Sequence, residues 1–116
     1  SGAVTDRDVL ILISKGGETT EVNHLARIAR ERGANLVCIS EKPESTLGHL
    51  CDCVVHVVAP EDVDPYGMIV TGSSLFNAAL CDCLCVMLLQ MRGYTKESFS
   101  QTHPGGAVGA KIKEGA

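Results

Sequence analysis

The run Val9-Leu10-Ile11-Leu12-Ile13 passes directly into Ser14-Lys15-Gly16-Gly17, and from Thr19 onward the apolar spacing becomes that of a helix. Five consecutive aliphatic side chains leave no polar face for water, so the run predicts a strand covered on both sides, the kind found in parallel sheets. Val22, Leu25, Ala26, Ile28 and Ala29 then recur at helical spacing, Arg27 and Glu31 stand four apart, and Gly33 closes the helix. Leu36-Val37-Cys38-Ile39 supplies a second buried strand one crossover later. Pro43 opens a short helical turn that runs to Leu50, and Val54-Val55-His56-Val57-Val58 is a third strand, ended by Pro60 and an acidic stretch. The expected fold class is α/β: a parallel sheet flanked by helices on both faces.

Small and hydroxylic residues at Thr71-Gly72-Ser73-Ser74 lead into an apolar helix that ends near Gly93. Its few polar positions predict burial on most of its surface, in a core or at a subunit interface. Asn77, Asp82 and Gln90 interrupt it, and a mid-bilayer Asp alone costs about 2.5–3.5 kcal/mol. A membrane span is therefore not expected. A further helical turn or two is expected between Thr95 and Phe99, before His103-Pro104-Gly105-Gly106.

With 116 residues, of which 45% are hydrophobic, the chain can bury one core, and residues 1–116 are expected to form a single domain. The net charge of −4, with basic residues scattered, offers no footprint for nucleic acid, and an aromatic content of 3% provides no stacking platform for single strands. The N-terminal residues lack a basic stretch followed by an apolar one, so a cytoplasmic location is expected. The six cysteines sit in regularly patterned apolar segments, which favours buried, reduced thiols over a disulfide framework. Cys51-Asp52-Cys53 and Cys81-Asp82-Cys83, with His24, His49 and His56 elsewhere, do not show the two-residue spacing of a structural zinc site. Neither a metal nor another cofactor is expected.

The 14–21 segment lies where a parallel strand hands over to a helix, which is where open α/β sheets bind ligands. Gly16 and Gly17 allow close backbone approach, first-turn N–H groups have no partner within a helix, and Ser14, Thr19 and Thr20 add hydroxyls. The combination suits a phosphate; a glycine-containing turn with a Thr N-cap is the plainer alternative.

Ser14, Gly17, Thr19 and Glu21 fall on the S-x-S-G-x-T-x-E pattern, and here the chain resembles sugar isomerase (SIS) domains. Phe99 and His103-Pro104-Gly105-Gly106-Ala107-Val108-Gly109 look like the C-terminal signature of the arabinose-5-phosphate isomerase-like group. Pro43-Glu44-Ser45, Pro65-Tyr66-Gly67, Ser73-Ser74 and Asp82 fall between them in the order these isomerases show. The resemblance implies a three-layer α/β/α sandwich of five parallel strands, of which three are legible here. Full-length relatives also begin with a long helix, a first strand and a Lys-containing loop, so the chain is expected to be the C-terminal portion of the domain. Gly16 stands where the pattern has its second Ser, which removes one hydroxyl.

Aldose–ketose isomerisation moves a proton between neighbouring carbons and needs a carboxylate or His within hydrogen-bond reach. Glu21 resembles the family residue proposed for that duty, although a carboxylate in a first helical turn is also favoured by the helix dipole alone. Histidine is a common proton carrier in catalysis and His103 stands in a Pro/Gly setting, and Asp62 falls close to another acidic position of these isomerases. The expected catalytic set is thus Glu21, His103 and Asp62. The expected substrate-binding set is Ser14, Gly16, Gly17, Thr19, Thr20, Ser73 and Ser74. The resemblance implies a phosphosugar substrate, the apolar helix over Leu75–Met91 predicts a homo-oligomer, and neither nucleic acid nor membrane is expected as a partner. A non-catalytic phosphosugar-sensing module, or a structural half-domain completed by another chain, are the alternatives; the absence of a basic recognition helix weighs against a DNA-binding regulator.

Overall fold

A computed structural model describes residues 2–61, 63–102, 105, 106, 109 and 110. They divide into two compact units, split between Ser73 and Ser74.

The first unit is built on three strands, β1 (Val9–Ile13), β2 (Asn35–Ser40) and β3 (Cys53–His56), in the order β1-β2-β3. Both pairings are parallel, with Ile13 opposite Ile39 and Ser40 opposite His56. The helices α1 (Thr20–Glu31) and α2 (Thr46–Leu50) form the crossovers that parallel pairing requires. The α/β class and the parallel order are those read from the sequence. The third strand is shorter than its apolar run: Val57 still donates its N–H to the Ser40 carbonyl at 3.1 Å, but β2 has ended there.

The core sits between the sheet and the two helices. Leu12, Leu36 and Cys38 from the strands meet Ala26 and Ala29 of α1, Ala34, and Leu47 of α2, with Leu10, Val22, Leu25 and Val54 around them. Alanine at 26 and 29 keeps the buried stripe of α1 narrow, so the helix axis can approach the sheet closely. Burying a leucine such as Leu47 is worth about 1.5–3 kcal/mol. The alternate residues of β1, Val9, Ile11 and Ile13, stay 44–61% exposed. The continuous apolar run thus marks a strand made to be covered twice, while α1 and α2 supply cover on one side.

Gly33, at φ 83°, turns the chain out of α1 in a conformation that L side chains rarely adopt. On the neighbouring turn, Arg30 donates to Asp52 Oδ1 at 2.9 Å and to the Leu50 carbonyl at 3.2 Å. Asp52 Oδ2 accepts the Leu36 N–H at 2.8 Å. One carboxylate therefore links α1, the second strand and the approach to the third. The Leu36 N–H first, and then Arg30, hold its carboxyl below the ordinary aspartate range.

The second unit carries α4 (Lys96–Thr102) and nearly all of α3 (Gly72–Met91). The core burial that was one of two settings expected of α3 is not found among the described residues, where its apolar side chains face solvent: Leu75 is 74% and Met91 79% exposed, and Val86, Met87, Leu88 and Leu89 are about half exposed. A helix apolar all round needs partners on several sides, and the described residues do not supply them. By length and composition alone, α3 would suffice to cross a membrane, which the mid-helix Asp82 disfavours. The thiols also depart from expectation: Cys38 is buried and Cys51 and Cys81 are half-buried, but Cys53, Cys83 and Cys85 are exposed.

Candidate functional site

The 14–21 segment leaves the carboxyl end of β1 and enters α1 at Thr20. Its shape is set by internal bonds. Ser14 is buried; its Oγ accepts the Gly17 N–H at 3.1 Å and lies 3.3 Å from Thr19 Oγ1. Gly17 takes φ 69°, which bends the chain back toward the helix start. Thr19 is the N-cap of α1, yet its side chain makes no cap hydrogen bond. The Asn23 N–H makes the first helical bond, to the Thr19 carbonyl at 3.0 Å, so the preceding first-turn N–H groups are not used by the helix itself. Thr19, Thr20 and Glu21 are all exposed residues at this helix start, with the Thr19 hydroxyl engaged by Ser14 Oγ.

The loop is held from beneath by the connection between β2 and α2. The Lys15 carbonyl accepts from the Glu41 N–H at 3.0 Å and from Ser40 Oγ at 3.2 Å. The Gly17 carbonyl accepts from the Leu47 N–H at 3.0 Å and from Asn23 Nδ2 at 3.3 Å. Glu18 uses both carboxylate oxygens on one residue: Oε1 takes the Thr46 N–H at 2.8 Å and Oε2 the Thr46 hydroxyl at 2.7 Å. The backbone N–H of Thr46, then its hydroxyl, lower the Glu18 pKa from its ordinary value. Ser45 caps α2 in its turn, its Oγ accepting the Gly48 N–H at 3.2 Å.

Five of the proposed binding residues, Ser14, Gly16, Gly17, Thr19 and Thr20, thus stand together with Glu21 on one loop and helix start. Ser73, buried, and Ser74, exposed, begin α3. Asp62 and His103 lie outside the described residues. Near Asp62 the acidic group with a visible task is Asp64, whose carboxylate accepts the N–H groups of Tyr66, Met68 and Ile69 at 3.0–3.2 Å and so organises the Pro65-Tyr66-Gly67 turn. Sequence reasoning also passed over Glu18, Thr46 and Asn23. Asn23 was legible, because it shares the buried stripe of Ala26 and Ala29 and a polar residue there must answer for its burial.

The model of the SIS domain family matches residues 2–87. The chain belongs to the SIS domain family. Among curated relatives, it is 36% identical to the arabinose 5-phosphate isomerase KdsD of Yersinia pestis and 38% identical to that of Salmonella typhi. Each match spans 111 residues, 96% of this chain and 34% of the relative. The chain therefore spans about a third of the length of these relatives. Among solved structures it is similar to a protein from Listeria monocytogenes described as a sugar-phosphate isomerase, at a TM-score of 0.81 and 36% identity, over 90% of this chain and 55% of the other. The E. coli CFT073 c3406 protein, solved in complex with a sugar phosphate, aligns at a TM-score of 0.81 and 28% identity over 89% of this chain and 55% of its own. The SIS likeness read from the sequence motifs and the parallel α/β fold both stand on these matches.

Proposed function

We propose that this SIS chain holds the phosphate of a phosphosugar at the 14–21 segment and takes part in aldose–ketose isomerisation of the arabinose-5-phosphate isomerase kind. The observation that carries the reading is the start of α1, where the N-cap Thr19 makes no cap bond and the exposed Thr20 hydroxyl stands beside first-turn N–H groups. Such a terminus combines unengaged donors with the positive end of the helix dipole and suits an anion. Ser14 and Gly17 keep the loop in shape from below, Gly17 packed against Ser45, and the exposed Gly16 lets the backbone approach the ligand. Glu21 carries the proton between the sugar carbons, assisted by His103, with Asp62 a further acidic candidate. For Ser73, Ser74, Asp62 and His103 the support is the order of family motifs alone. Self-association through the apolar α3 helix belongs to the same reading.

The test is a pair of substitutions assayed with arabinose 5-phosphate. Ser14→Ala weakens binding; Glu21→Gln largely spares binding and lowers exchange of the sugar C2 proton with deuterated solvent by about 10²- to 10⁴-fold. Unchanged exchange in Glu21→Gln removes it as the base. Binding by the unsubstituted chain with no exchange at all favours a phosphosugar-sensing module instead.

A further inference from the structure

A carboxylate between Gly17 and Thr19 is out of place in an anion cradle, because a negative charge within a few ångströms of a phosphate opposes its binding. Glu18 occupies that position, and both of its oxygens are turned onto Thr46 at 2.7 and 2.8 Å. Thr46 is the first helical residue of α2, following the N-cap Ser45. Its N–H is one of the donors a helix leaves unpaired, and its hydroxyl adds a second. The carboxylate is thereby fixed on the α2 start, and its charge is spent on two donors 28 residues away in sequence.

We infer that Glu18 is a positioning residue, and that its clamp on Thr46 both fixes the cradle loop and keeps a negative charge away from the phosphate. The inference rests on the cradle reading proposed above and adds a determinant of phosphate affinity to it. The adjoining bonds act in the same sense. Leu47, the residue after Thr46, donates to the Gly17 carbonyl at 3.0 Å, so the two loops are tied at consecutive residues on each side. Release of Thr46 therefore leaves Glu18 anchored only through its neighbours, with an unengaged carboxylate beside the helix start.

The clamp predicts an order of affinities that a merely stabilising contact does not. Thr46→Pro removes both donors. It suits the fold, since proline is favoured at a first helical position and Ser45 before it is already extended at ψ 168°. Glu18→Ala removes the clamp and the charge together. Glu18→Gln keeps both bonds, its amide oxygen accepting the N–H and its NH₂ donating to the hydroxyl. Titration with inorganic phosphate at pH 8, below the melting temperature of every variant, is expected to show Thr46→Pro weakened about tenfold and Glu18→Ala about threefold. Glu18→Gln is expected within about twofold of the parent, and the double variant Glu18→Ala/Thr46→Pro no weaker than Glu18→Ala. Added salt narrows the Thr46→Pro deficit. A Thr46→Pro chain that binds phosphate like the parent, or a double variant as weak as Thr46→Pro, overturns the clamp and leaves the cradle standing. A parent chain that takes up no phosphate removes the cradle and the clamp together.

Discussion

Gly17 lies against Ser45 with no room for a side chain: a Cβ built on it would overlap the Ser45 Cβ and Oγ. The φ of 69° at Gly17 adds a second penalty for any L residue. Gly17→Ala is therefore expected to lower unfolding stability by about 1–3 kcal/mol, from overpacking and backbone strain together. Gly16→Ala, at a position with nothing within 4 Å, is expected to stay within about 0.5 kcal/mol. Urea unfolding of the two variants separates them, and equal losses would refute the close approach.

Asp52 links stability to pH. Its carboxyl is depressed below the ordinary 3.8 by the Leu36 N–H first and Arg30 after it. A depressed carboxylate contributes stability that is fully present above its unfolded pKa and is lost as pH falls through the lower folded value. Unfolding free energy is thus expected to fall as the solution is taken from about pH 5 toward pH 2. Asp52→Asn, which keeps an acceptor for Leu36 but loses the charge facing Arg30, flattens part of that fall. A parallel pair of curves would show that Asp52 carries no share of it.

Burial, and then the nearby Cys38, push the Cys51 thiol up to about 12, so at neutral pH it stays protonated and a poor nucleophile. An aromatic disulfide reagent at pH 8 is expected to consume the exposed Cys53, Cys83 and Cys85 first, and Cys38 and Cys51 only on unfolding. Mass mapping of the first labelled sites decides it, and early loss of Cys38 would contradict the packing of β2.

The exposed flank of α3 bears on assembly. Leucine and methionine side chains at 45–79% exposure over residues 86–91 form the kind of surface that seeks cover in water. The proposed self-association predicts sedimentation coefficients that rise with concentration in the absence of detergent, and Leu88→Lys is expected to reduce the rise. A chain that sediments as a monomer at every concentration sinks the proposal.

The strands were readable because β1 is an unbroken aliphatic run and β2 and β3 are centred on short apolar ones, and α1 because its apolar residues return at helical spacing between Thr19 and Gly33. The proposed cradle was readable for a related reason: glycines and hydroxyls in a strand-to-helix turn form a local pattern. Glu18 and Thr46 were not, since a bond between a loop and a helix start 28 residues away leaves no period in either. Which of its two expected settings α3 takes, core or subunit interface, was not legible for the opposite reason. Its composition reports how it is meant to be covered, while its surroundings depend on partners that no residue within the helix can name.

The bonds that shape the proposed cradle all close short circuits of chain, from Ser14–Gly17 at three residues to Gly17–Leu47 at 30. Loop-closure entropy grows only logarithmically with length, and circuits of this size close quickly compared with strand pairings that span a whole domain. Once Leu47 has left the ribosome, every residue that bends or ties the loop has been synthesised. The bonds that tie the 14–21 turn thus need nothing downstream of α2, and its shape does not wait on β3 or on the second unit.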